Sequence, residues 1–174
     1  MIANSEASQE VARFCLDRGL VDLVRFKQAE TQSKASGKSL YDLLVSNRLI
    51  DDHKAKEAVA AYLDLPIVDL VNIQHQVALH LEAVPANFAI ENRIIPFDAN
   101  EQGIKVAIAE PSALRSISSV RLITGKNVAA YIVSPLEMED LIKVVLDNTP
   151  KVNAHSGINI TKAVHAHDKN KMSA

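Results

Sequence analysis

Three groups of residues have the types and spacing to do chemistry. Gly37-Lys38-Ser39, within K-A-S-G-K-S-L-Y, ends the way a phosphate-binding loop ends; His165-Ala166-His167-Asp168 gathers metal-ligand types; Asp51-Asp52 pairs two carboxylates. Each needs a setting. A phosphate loop needs a glycine five positions before its last one, so that backbone N–H groups can converge on the phosphates, and a buried strand leading into it. That position holds Gln32, and residues 22 to 35 are polar with helical spacing. Gly37 therefore reads as a left-handed residue that ends a helix. The histidine cluster lies in a polar, small-residue stretch that offers no second shell to fix ligands, so no metal site is expected. Asp51-Asp52 stands where a helix should begin, which favours capping over acid–base work. His53, His75 and His80 are scattered over polar helix faces, and G-x-S-x-G is absent. No catalytic residue stands out.

Composition narrows the classes further. Of 174 residues, 48% are apolar and 23% charged, the usage of a folded soluble chain. A net charge of −2 offers no global field for nucleic acid. Cys15, the single cysteine, excludes an internal disulfide framework and sits on an apolar stripe. No apolar run approaches the roughly 20 residues of a membrane span, and the N-terminus lacks the features of a signal peptide, so a cytoplasmic location without membrane insertion is expected.

The elements that would carry these residues start with four short helices. One covers residues 6 to 18, with Ser5 as a cap, and stops at Gly19; Asp22 caps a second that runs to Gly37. Ser39 caps a third, and Asp51 a fourth. Cys15 to Asp22 aligns with Leu44 to Asp51 at a constant offset of 29 residues, which continues through Ala29 and Ala58. The pattern is a duplicated helix-turn-helix unit, each half of which needs the other to bury its apolar face. From Leu65-Pro66-Ile67-Val68-Asp69-Leu70, a hinge or edge strand, the character changes. Helical pieces at 74 to 83 and 85 to 92 precede strands at 93 to 97 and 104 to 109, which should form an antiparallel hairpin. A helix from Pro111 to Gly125, a strand at 128 to 133 and a helix opened by the capping box Ser134-Pro135-Leu136-Glu137 complete a β-β-α-β-α run. The fold class expected is α+β: the duplicated four-helix unit, residues 1–64, then a small three-stranded α/β sandwich, 65–148, with helices on one face of its sheet. Residues 149–174 read as a linker or tail.

This order of pieces resembles the N-terminal domain of type IV pilus assembly and type II secretion ATPases. It is carried by the paired helical units, L-P-I-V-D-L, V-P-A-N-F-A, R-I-I-P-F, G-I-K-V-A-I-A-E-P, V-R-L-I-T-G-K-N-V and S-P-L-E-M, over residues 8 to 147. The resemblance implies a non-catalytic docking and regulatory module. Its partners would be an inner-membrane platform protein or a regulatory adaptor. ATP, Mg and hexamer formation would belong to a motor domain outside this chain. Some members of that family bind cyclic di-GMP through a duplicated motif, basic-Leu-Gly followed by a glycine and a helix ending in Gln. Here the match is degenerate: Glu10-Val11-Ala12 and Ser39-Leu40-Tyr41 replace the opening triplets, Arg48 replaces the second glycine and Tyr62 the second Gln. The candidates that the resemblance leaves for the dinucleotide are Arg18, Gly19, Lys38, Ser39, Leu40 and Arg48.

Overall fold

The structure, a computed structural model, describes residues 2–149, which form eight α-helices and three strands. The helical half is α1 (Ile2–Asp17), α2 (Leu23–Ser36), α3 (Leu40–Ser46) and α4 (Asp52–Leu63). The expected caps are in place: Asp22, Ser39 and Asp51 accept the N–H groups of Arg25, Asp42 and His53 with Lys54 respectively. One cap is not. Ser5 lies inside α1, which begins at Ile2, because nothing in the local sequence forbids the helix from running further back. His53 lies on an exposed helix face as expected, its Nδ1 3.6 Å from Glu57 one turn on.

The duplication is present down to single hydrogen bonds. Gly19 N–H donates to Leu16 O and Leu20 N–H to Cys15 O, while Arg48 N–H donates to Val45 O and Leu49 N–H to Leu44 O, all at 2.9 Å. Gly19 (φ 68°) and Arg48 (φ 54°) take the same left-handed conformation at the same place in each copy. The apolar pairs Cys15 and Leu44, Val21 and Ile50, and Ala29 and Ala58 are all buried, so the copies close one core between them.

The second half runs α5 (Leu70–Leu79), α6 (Ala86–Glu91), β1 (Ile95–Ala99), β2 (Ile104–Ile108), α7 (Leu114–Thr124), β3 (Val128–Ile132) and α8 (Pro135–Asn148). It confirms the α+β class and the β-β-α-β-α order. Strand order is β1-β2-β3; β1 and β2 pair antiparallel with a bulge between Pro96 and Asp98, and the α7 crossover makes β3 parallel to β2. The L-P-I-V-D-L stretch is an edge: Val68 N–H donates to Ile132 O and Ile132 N–H to Pro66 O.

Three differences have physical causes. α5 starts at Leu70, four residues earlier than the pattern suggests, because its first turn is held by a distant carboxylate described below. β1 starts at Ile95, since Arg93 is left-handed (φ 49°) and ends the turn after α6. The sheet is not covered on one face alone: Ala107 and Ile108, neighbours that point to opposite faces, are both fully buried. The buried apolar residues of both halves form one continuous cluster, joined where α1 meets the turn at Pro111–Ala113 and α4 meets α8.

Candidate functional site

The seam between the halves carries two polar constellations. The first centres on Lys56 of α4, 4% exposed, whose ammonium donates to Asp69 (3.1 Å) and to both oxygens of Glu137 (3.0 and 2.8 Å). Glu137 is the capping-box residue of α8. Its carboxylate also accepts the N–H of Ser134 at 2.6 Å and of Leu70 at 3.4 Å, so it holds the first turns of both α8 and α5. Burial opposes charge on each partner. The hydrogen bonds between them outweigh it, holding Glu137 below the ordinary 4.5 and Lys56 above the ordinary 10.5. Asp52 completes the join, its carboxylate accepting the N–H of Leu136 at 3.1 Å.

Beside this seam opens a cleft of about 970 Å³, lined from the helical half by Tyr41, Asp42, Arg48, Asp51 and Asp52, and from the other half by Arg93, Glu110, Leu136 and Glu139. Arg93 pairs with Glu110 (3.3 Å) and Glu139 (2.8 Å). Burial, together with the negative charge of Asp42, pushes the Glu110 carboxyl above its ordinary 4.5; Asp42 at the cleft wall is raised above 3.8 by the same withdrawal of water. Tyr41 is 2% exposed, and its hydroxyl has no hydrogen-bond partner. Burial first, then the charges of Cys15, Glu110, Asp42 and Asp52, raise its pKa, so the phenol keeps its proton. Of the three non-glycine residues with positive φ among the described residues, two, Arg48 and Arg93, line this cleft.

The sequence-predicted candidates are not gathered in one place. Of the six, only Arg48 lines the cleft. Arg18 lies in the exposed turn after α1, over the ring of Phe14 and 4.7 Å from its centroid, and Gly19 belongs to the same turn of the first copy. Lys38 and Ser39 join α2 to α3, with Ser39 as the cap, and Leu40 is buried in the core. Gly37-Lys38-Ser39 is thus a joint between two helices. Tyr62, in place of the family Gln, hydrogen-bonds Glu10 and packs edge-on against Phe14. Sequence reasoning passed over Lys56, Glu110, Asp42 and Tyr41. One signal was available for Lys56: the repeat aligns it with Lys27, which is exposed, and a lysine beside Ala55 on an apolar face of α4 is out of place. Cys15 is fully buried, its thiol pushed up to about 11 by burial. His165, His167 and Asp168 lie outside the described residues. Among the described residues no group of His, Cys, Asp and Glu could hold a metal ion, and no helix is long and apolar enough to cross a membrane.

Comparison with known proteins gives this architecture a family. The MshEN domain family matches residues 63–149, half of the chain. The type IV pilus assembly ATPase PilB of Myxococcus xanthus (strain DK1622) is 17% identical over 136 residues, 78% of this chain and 24% of that protein. The chain thus spans about a quarter of the curated relative it matches. Among solved structures, the N-terminal domain of XpsE aligns with a TM-score of 0.63 at 22% identity, covering 79% of this chain and 94% of that one. The structure of MshE with cdg aligns with a TM-score of 0.62 at 19% identity, covering 76% and 96%. The two structural matches confirm the fold expected from the sequence. The chain belongs to the MshEN domain family, and the resemblance to the N-terminal domains of pilus and secretion ATPases holds.

Proposed function

We propose that this chain is the non-catalytic docking and regulatory domain of a type IV pilus assembly or type II secretion ATPase. It works on the cytoplasmic side of the inner membrane and couples a motor to a platform protein or an adaptor. The observation that carries this reading is the alignment to a quarter of a pilus assembly ATPase, together with the match of residues 63–149 to the MshEN domain family. The joint at Gly37-Lys38-Ser39 agrees with it, since a helix-to-helix turn supplies no strand-fed cradle for a nucleotide triphosphate. ATP and Mg are accordingly assigned to a motor domain outside this sequence. Exposed apolar side chains such as Leu23 and Val24 on α2 (54% and 67%) offer contact area on the helical half. The test combines the purified chain with the purified cytoplasmic regions of a pilus platform protein and of an adaptor. A complex on size-exclusion chromatography with light scattering is expected with one of them; its absence with both refutes the docking role.

A second reading is a cyclic di-GMP sensor, favoured by the intact geometry of the duplicated turns at Gly19 and Arg48 and by the MshE structure solved with cdg. Arg18, Lys38 or Arg48 would meet phosphate, Gly19 and the Ser39–Leu40 joint would allow close approach, and Asp42 and Glu110 could accept the N–H groups of a guanine edge. Against it stand the acidic lining of the cleft and the dispersal of the candidate residues. Calorimetric titration decides: binding tighter than about 10 μM, roughly −7 kcal/mol, would place the sensor reading first.

A further inference from the structure

Residues 111–136 are the longest stretch of the chain without an aspartate or glutamate, in a sequence that contains 21 of them. They build one outer surface, running from the turn Pro111–Ala113 through α7 and back along β3, whose residues Val128 to Ile132 are all uncharged. α7 turns Val120 to the core, with Ile117 and Thr124 partly covered beside it. At 3.6 residues per turn the opposite side belongs to Arg115, Ser118, Ser119 and Leu122, all exposed, with Arg121 and Ile123 on its flanks. Lys126 follows directly after the C-cap Gly125. Among the described residues the arginines in ion pairs are Arg25 and Arg93, whereas Arg115 and Arg121 make none. Lys126 donates to the carbonyl of Asn100 at 2.8 Å, which leaves its charge unneutralised. In the hairpin that holds Asn100, Asp98 is already paired with Lys105 at 2.7 Å. Among these cations stand Leu122, 86% exposed, and Ile123, 49% exposed. A partner that fits must be anionic and must also accept apolar side chains between the charges. A nucleic-acid backbone meets the first demand alone. A lipid monolayer, with phosphates above and acyl carbons beneath, meets both, and its flat surface suits the convex outside of a helix.

We propose that the outer side of α7 is a contact for an anionic phospholipid surface, with Arg115, Arg121 and Lys126 among the headgroup phosphates and Leu122 and Ile123 in the apolar layer beneath. The helix lies on the bilayer and does not cross it: its 11 residues make about 16 Å against a hydrocarbon core of about 30 Å. Three cations and two apolar side chains give a reversible contact, not an anchor. The long arginine stems let both guanidinium groups reach the phosphates from either flank of Leu122. This contact goes beyond the docking reading, which concerns protein partners, and either can fail without the other.

The experiment is co-flotation of the whole chain with vesicles of equimolar phosphatidylglycerol and phosphatidylcholine, and with vesicles of phosphatidylcholine alone, in the absence of any protein partner. Partition onto the anionic vesicles is expected to exceed that onto the neutral ones by at least about tenfold and to fall as salt is raised. Arg115→Gln with Arg121→Gln should lower it by about tenfold or more. Arg115→Lys with Arg121→Lys, which keeps the charge, should retain it. Leu122→Ser, which leaves the charge untouched, should lower it by about fivefold. Lys54→Gln, at an exposed cation of α4, should leave it unchanged. All these side chains are exposed, and an unchanged melting temperature shows that each variant folds. Equal binding to the two kinds of vesicle, no binding, or binding undiminished by Arg115→Gln with Arg121→Gln overturns the proposal. So does arginine-dependent binding that is indifferent to Leu122→Ser, and so does retention on duplex DNA at a salt concentration that releases the vesicles; either gives the face to a soluble polyanion.

Discussion

Arg48 and Tyr41 are residues whose identity works against the fold. Arg48 occupies the left-handed turn that its counterpart Gly19 occupies in the first copy, and an L-residue there costs about 1–2 kcal/mol. Part of that is returned because arginine restricts the unfolded chain more than glycine does. Arg48→Gly is therefore expected to stabilise the chain by about 0.5–1 kcal/mol, read as a shift in the urea midpoint. The same turn explains why the second copy was legible despite losing its glycine: the Asp22 and Asp51 caps and the flanking apolar pairs carry the register. Tyr41 is a different case. Its hydroxyl is buried without a partner, so Tyr41→Phe should raise stability by about 1 kcal/mol in the same measurement.

At the scale of elements, the joins between helices and sheet are made by charged groups from far apart in sequence. Lys56 and Glu137 are separated by 81 positions, and one carboxylate anchors three elements, α4, α5 and α8. Lys56→Met should cost about 3 kcal/mol, the low end for breaking a buried pair, because Glu137 and Asp69 keep some water, at 22% and 71% side-chain exposure. The pH dependence has a definite sign. Glu137 is held below 4.5, so the folded chain binds this proton less readily than the unfolded one. Its stabilisation is complete above about 4.5 and is lost as pH falls through the folded value. In Lys56→Met the acid side of a plot of melting temperature against pH should flatten. Asp42 and Glu110 act in the opposite sense: raised in the fold, they bind protons more readily there, so stability falls as pH rises from 3.8 and 4.5 through their folded values. Asp42→Asn with Glu110→Gln should remove that fall. Caps at Asp22, Ser39, Asp51 and Ser134 could be read in the sequence because each bonds a group two or three residues away. The start of α5 could not, since Asp69 is turned to Lys56 and the N–H of Leu70 is served by Glu137.

For the whole molecule, the β-β-α-β-α order and the 29-residue repeat were legible because both are local periodicities. The cleft was not, because Asp42, Arg93, Glu110 and Glu139 meet only after α3, the turn before β1, the end of β2 and α8 have been brought together. The continuous apolar cluster and the polar seam tie the halves, so a single cooperative unfolding transition is expected. Hydrogen-exchange protection lost at one common denaturant concentration in α3 and β2 would check it; separate transitions would show that the halves are stable alone. The seam also sets an order of events on the ribosome. The helical repeat closes through packing of α1 on α3 and α4, all within the first 64 residues, and can form early, whereas Lys56 waits for Glu137, 81 residues later in synthesis. Until then a newly made helical unit carries on α4 a lysine destined for burial, still hydrated. Burying an unpaired ammonium is costly, so closure of the seam over α4 is expected to wait until α8 has brought Glu137 to it.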